Sequence, residues 1–185
     1  MTSPISPPSN SSPTSAPPRI WRRMATFLSI AAVVIGVDQW TKALVRARLE
    51  LGETWPAGWE LIRLTHVENT GAAFGILQGA GGPLIIVGLC LVAVITFVLL
   101  TQPSQSRVYT VALSCIPGGA IGNLIDRVRL GAVTDFIDPT HYPAFNVADS
   151  SIVCGVAALM LLTWFGNSAP SADPIARRDP SEVTS

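Results

Sequence analysis

"PLIIVGLCLVAVITFVLLTQ", from Pro83 to Gln102, runs for 20 residues without a charge. A helix rises 1.5 Å per residue, so this run covers the roughly 30 Å hydrocarbon core of a bilayer. Two further uncharged runs, Val108 to Ile125 and Ser150 to Ala172, are long enough to do the same. A fourth, Met24 to Val37, reaches spanning length only by continuing through Asp38 and Lys42 to Val45. The fold expected is an all-α membrane protein with four transmembrane helices, at about 24–45, 83–102, 108–127 and 148–166. Composition agrees. Charged residues are 13% of the chain and hydrophobic ones 49%, whereas a soluble domain carries about 25% charged residues. Lipid-facing surface must be apolar, which accounts for the deficit.

The ends of the chain read differently. Residues 1–18 hold six prolines, six serines and no charge, and 167–185 is rich in Pro, Ser and Ala. Neither can bury enough apolar surface to offset its ordering entropy, so both are expected to be disordered tails around a domain at 19–166. Arg19, Arg22 and Arg23 before the first apolar run give it a signal-peptide look, but no small-residue cleavage site precedes Asp38 and three more spans follow. That first helix is expected to stay. Four spans place both termini on one side. The twelve Lys and Arg divide six and six between the two sides, so only the arginines ahead of the first helix orient the bundle, with cytoplasmic termini. Residues 46–82 and 128–147 then lie outside. "LIRLTHV" (Leu61 to Val67) is β-rich and partly alternating, which predicts a short strand or hairpin there. His66 receives no role. Trp55 and Trp59 suit the headgroup level.

Equal numbers of basic and acidic residues leave no basic stripe for nucleic acid. Cys90, Cys115 and Cys154 each fall inside a span and match no metal spacing, so they read as small buried residues. Polar groups at membrane depth need a reason. Asp38 and Lys42, four apart, are either a self-neutralising helix pair or a brace for a site. Asn123, Asp126 and Arg127 stand at i, i+3 and i+4 where the third helix closes, on one face. Gly118 and Gly122 form a small-xxx-small pattern for close helix approach. Asn146 and Asp149 lie three apart at the start of the last span, where either could cap the helix. Charge spacing by itself suggests Asp135 and Asp138 as a catalytic pair.

"DQWTK", "ENTGAAFG", "GGAIGNLIDR", "VTDFID" and "FNVADS" occur in an order and spacing that resemble the lipoprotein signal peptidase (signal peptidase II) family, over about Val37 to Val153. Five motifs in register are more specific than any one of them. The resemblance implies a four-helix bacterial intramembrane aspartyl endopeptidase without a metal or other cofactor. Its substrates would be diacylglyceryl-modified prolipoproteins, cut on the amino side of the lipidated cysteine. It implies Asp135 and Asp149 as the catalytic pair and leaves Asp138 structural. Asn69 and Arg127 would orient substrate backbone, Asn123 and Asn146 would position backbone or the acids, and Asp126 would pair with Arg127 or a nearby donor. Asp38 and Lys42 would stabilise the assembled site. The enzyme would lie in the bacterial plasma membrane, in contact with its lipids, with the active site toward the extracytoplasmic face. The rival readings are a small proton-coupled transporter, although no internal repeat is found, and a structural membrane subunit.

Overall fold

The computed structural model describes residues 19–59, 61–71, 81–102 and 106–166. Both tails, and the part of "ENTGAAFG" from Ala72 to Gly75, lie outside the described residues. Four helices are long and apolar enough to cross a membrane: α1 (Arg19–Arg48), α2 (Gly81–Thr101), α3 (Arg107–Leu130) and α4 (Val147–Gly166). α1 begins five residues before the run expected from hydropathy. Arg19, Arg22 and Arg23 thus sit on the helix rather than ahead of it.

α3 is the central helix. Its apolar window is 67% buried, against 11%, 6% and 11% for α1, α2 and α4. It packs on all three of the others. Small residues make this possible. A Cβ at Gly118 would stand 2.9 Å from Val34 Cβ of α1, and one at Gly119 would strike the carbonyl oxygen of Ala148 in α4. The other three helices leave large apolar side chains outward, such as Trp40, Phe97 and Trp164, which is the exposure a lipid solvent requires. Cys90 and Cys154 are exposed on this surface, against the expectation that they are buried, and Cys115 is intermediate; all three are free thiols. A helix surrounded by lipid does not need to hide an apolar side chain.

α3 ends at Gly131, whose φ of 78° is left-handed and whose N–H closes on the Arg127 carbonyl. A residue with a Cβ resists that conformation, so the helix stops there. The chain then enters a small antiparallel sheet of order β1-β2-β3, with β1 at Thr54–Trp55, β2 at Ile62–Asn69 and β3 at Val133–Pro139. The β-rich reading of 61–67 identifies part of β2. The "VTDFID" segment, placed outside the membrane, forms a strand. β2 and β3 pair with Val67 opposite Asp135 and Asn69 opposite Val133, past an irregularity between Leu64 and Val67. This sheet caps one end of the bundle, where α1 and α3 finish and α4 starts. A separate apolar cluster of Phe27, Leu99 and Leu113 packs α1, α2 and α3 toward the other end.

Candidate active site

Asp135 and Asp149 reach one cavity from different elements. β3 carries Asp135 and the first turn of α4 carries Asp149. Both line a cavity of about 460 Å³ together with Asn69, Gly71, Asn123 and Arg127. Asp138 takes no part: it accepts hydrogen bonds from Arg63 Nε and Thr65 Oγ1, each at 2.7 Å, on the sheet.

Amide side chains tie the two acids together. Asn146 Nδ2 donates to Asp135 Oδ1 at 2.7 Å and to Asn123 Oδ1 at 3.1 Å. Asn123 Nδ2 in turn donates to Asp149 Oδ1 at 2.7 Å. The second oxygen of Asp135 accepts from Asn69 Nδ2 at 2.9 Å. That contact follows from strand register. Asn69 stands opposite Val133, and residues 133 and 135 share a face, so Asn69 reaches its diagonal neighbour. Asn146 and Asp149 also form a reciprocal cap on α4. Asn146 Oδ1 accepts the Asp149 N–H at 2.9 Å, and Asp149 Oδ2 accepts the Asn146 N–H at 3.3 Å. Capping and the geometry of the acids therefore coexist in the same two residues.

Beneath the amides lies a buried ion network. Lys42 has three N–H bonds and uses each: on Asp38 Oδ2 at 2.9 Å, Asp126 Oδ2 at 3.1 Å and Asn123 Oδ1 at 2.8 Å. Asp38, Lys42 and Asp126 are all almost fully buried. Asp38 Oδ1 accepts the Ala148 N–H at 2.9 Å, so a side chain of α1 satisfies a first-turn donor of α4. Asp126 Oδ2 accepts the Thr134 N–H at 3.1 Å and so fixes the residue just before Asp135. Of the two arrangements expected for Asp126, Arg127 or a nearby donor, the structure shows the second: its partners are Lys42, Gln39 and Thr134. Consecutive helical residues point about 100° apart, so Asp126 turns toward α1 while Arg127 turns to the cavity. There Arg127 Nη2 donates to the Gly71 carbonyl at 3.1 Å, and its buried Nε has no partner among the described residues.

Asp135 is 2% exposed, and burial pushes its carboxyl up to about 6. The amide donors of Asn69 and Asn146 and the charge of Lys42 pull the other way, while the negative charge of Asp149 adds to the rise. A carboxyl near 6 beside a second carboxylate is suited to hold or release a proton near neutral pH.

Comparison with known proteins places this geometry. The family described as Signal peptidase (SPase) II matches residues 30–165. The chain belongs to that family. A lipoprotein signal peptidase of Caldanaerobacter subterraneus is 45% identical over 137 residues, covering 74% of this chain and 94% of that protein. One of Enterococcus faecalis is 39% identical over 142 residues, 76% of this chain and 88% of that one. A solved structure, described as a bacterial membrane enzyme, superposes with a TM-score of 0.75 at 30% identity, covering 81% of this chain and 94% of its own. Signal peptidase II membership gives no support to the transporter or structural-subunit readings.

Two residues of this signal peptidase II site, Gln39 and Arg46, were not singled out by the sequence. Gln39 Nε2 bridges Asp126 Oδ1 at 3.0 Å and the Gly122 carbonyl at 3.1 Å. Arg46 Nη1 donates to Thr134 Oγ1 at 2.8 Å and lies 4.0 Å from Asp126. Gln39 follows Asp38 directly, and that adjacency was the available signal.

Proposed function

We propose that Asp135 and Asp149 are the catalytic dyad of this aspartic peptidase. It removes the signal peptide from diacylglyceryl-modified prolipoproteins by cutting on the amino side of the lipidated cysteine. One observation carries the assignment: these two carboxylates face one cavity and are joined to each other through Asn146 and Asn123. Two carboxyls sharing a site cannot both ionise cheaply, so the dyad works with one proton.

The ionised member takes a proton from water as the water oxygen bonds to the scissile carbonyl carbon. The protonated member donates to the carbonyl oxygen, giving a neutral tetrahedral diol. The dyad, now carrying the water's proton, passes a proton to the cysteine nitrogen. As the C–N bond breaks, one hydroxyl of the diol returns its proton to the dyad, and the signal peptide leaves with a new carboxyl end. Asn69, Asn123 and Asn146 keep the acids oriented throughout, because every one of them donates to a dyad oxygen. Arg127 offers its Nε, which has no partner among the described residues, to a substrate carbonyl. Lys42, held by Asp38 and Asp126, polarises Asn123 from behind and keeps the ion network close to neutral. No step draws on a metal.

The enzyme sits in the bacterial plasma membrane with cytoplasmic termini and the dyad near the outer face. The arginines at the start of α1 support that orientation. The substrate's acyl chains then stay in the bilayer while its signal peptide spans it. Incubating the purified chain with a diacylglyceryl-modified prolipoprotein tests this reading: the lipidated mature form should appear by gel shift. A chelator-sensitive reaction, or cleavage of the unlipidated precursor at an equal rate, would contradict it.

A further inference from the structure

Four arginines gather at the end of the bundle away from the aspartates. Arg19, Arg22 and Arg23 of α1 and Arg107 of α3 line a cavity of about 760 Å³, with Thr26 and Thr110. Arg23 Nη1 donates to the Gln102 carbonyl at 3.1 Å, but its Nε and Nη2 are buried without a partner among the described residues. Such donors cost free energy until an acceptor reaches them.

Among the described residues no side chain of opposite charge stands at this end; the nearest acids of the sequence beyond α4 are Asp173, Asp179 and Glu182 in the tail. No Asp or Glu occurs in residues 1–37, 83–125 or 150–172. Asp38, the nearest acid on α1, lies roughly 22 Å along the helix from Arg23 at 1.5 Å per residue. Among the described residues none of the four arginines has a carboxylate partner. Exposed apolar side chains alternate with them: Ile20 and Trp21 stand between Arg19 and Arg22, and Val108 follows Arg107.

We propose that this cavity binds the phosphate of an acidic phospholipid headgroup. Guanidinium forks match phosphate oxygens in both charge and geometry. A basic pocket between transmembrane helices on the cytoplasmic side is where an anionic lipid headgroup fits. Free phosphate brings the same charge, but only a lipid also covers Ile20, Trp21 and Val108 with its acyl chains. The bound headgroup offsets part of the arginines' charge and ties the starts of α1 and α3 together.

Native mass spectrometry of the full chain in neutral detergent tests this, with phosphatidylglycerol, phosphatidylcholine and inorganic phosphate as probes. Phosphatidylglycerol should be retained about tenfold more tightly than phosphatidylcholine, in keeping with a site of several arginines. That preference should fall to about twofold or less in Arg23→Gln/Arg107→Gln and weaken in the more exposed Arg19→Gln/Arg22→Gln. Both variants should still cleave prolipoprotein in neutral micelles, which shows that they fold. Equal retention of the two lipids by the unmodified chain, or an unchanged preference in both variants, overturns the site. Displacement of phosphatidylglycerol by an equal concentration of phosphate overturns the lipid and makes the ligand a soluble anion.

Discussion

Asp135 receives amide donors on both oxygens, which favours its ionised form, yet its carboxyl rises to about 6 because burial outweighs them. Two predictions follow the sign of that shift. The active dyad holds one proton, so kcat/KM should fall as pH rises through an apparent value near 6 in the free enzyme. A pH profile flat from 5 to 8 contradicts this. The folded state also binds the Asp135 proton more tightly than the unfolded chain, whose aspartates titrate near 4. Stability from this residue is therefore present below about 4 and is lost as pH rises through about 6. Asp135→Asn should lose less stability than the unmodified chain between pH 4 and pH 7, by about 2 kcal/mol in detergent-phase unfolding. Identical pH dependence would remove that claim. At this scale the sequence was partly legible. The family motifs single out Asp135 and Asp149, while charge spacing alone suggests Asp138 as the partner of Asp135; residues three apart in a strand take opposite faces, and the strand itself was not legible. Asp138 points to Arg63 and Thr65 instead.

α4 is held at its start by two devices, its own Asn146–Asp149 cap and the Asp38 carboxylate on the Ala148 N–H. Glycines of α3 leave room beside the second: Gly119 faces the Ala148 carbonyl and Gly122 the Asp38 carboxylate. Gly119→Ala would press a methyl into the Ala148 carbonyl, a backbone atom that cannot swing aside. It should destabilise the bundle by about 1–3 kcal/mol and lower kcat, since Ala148 neighbours Asp149. Gly36→Ala, with nothing within 4 Å of the added methyl, is the matched control and should change neither. Thermal unfolding and initial rates read out both. The helices were legible because uncharged runs of spanning length have few other uses. The sheet was less so. β1 is two residues long, β2 is interrupted between Leu64 and Val67, and β3 is apolar, then charged, without clean alternation. Its pairing partners are distant in sequence, and no local pattern encodes them.

Across the whole molecule, polarity is segregated by end. The sheet end holds a charge network buried among four elements, and the other end, among the described residues, holds arginines without acids. Lys42 is the hub of the first, pairing with both Asp38 and Asp126 while bracing Asn123. Lys42→Met would leave two buried carboxylates short of a partner, which costs about 3–5 kcal/mol. It should lower both thermal stability and cleavage, whereas a merely peripheral pair would affect neither. Asp38 and Lys42 are thus more than a self-neutralising helix pair, a distinction that needed α3 and α4 in place to see.

The central claim is that Asp135 and Asp149 together form the catalytic pair. The most direct test measures initial cleavage of a diacylglyceryl-modified prolipoprotein by Asp135→Asn, Asp149→Asn and Asp138→Asn, each checked for unchanged helix content. The first two should lose at least about 10³-fold in rate, as loss of a general acid or base does, while Asp138→Asn stays within about threefold because its bonds to Arg63 and Thr65 lie outside the dyad's cavity. Cleavage at the unmodified rate by either of the first two would contradict the dyad.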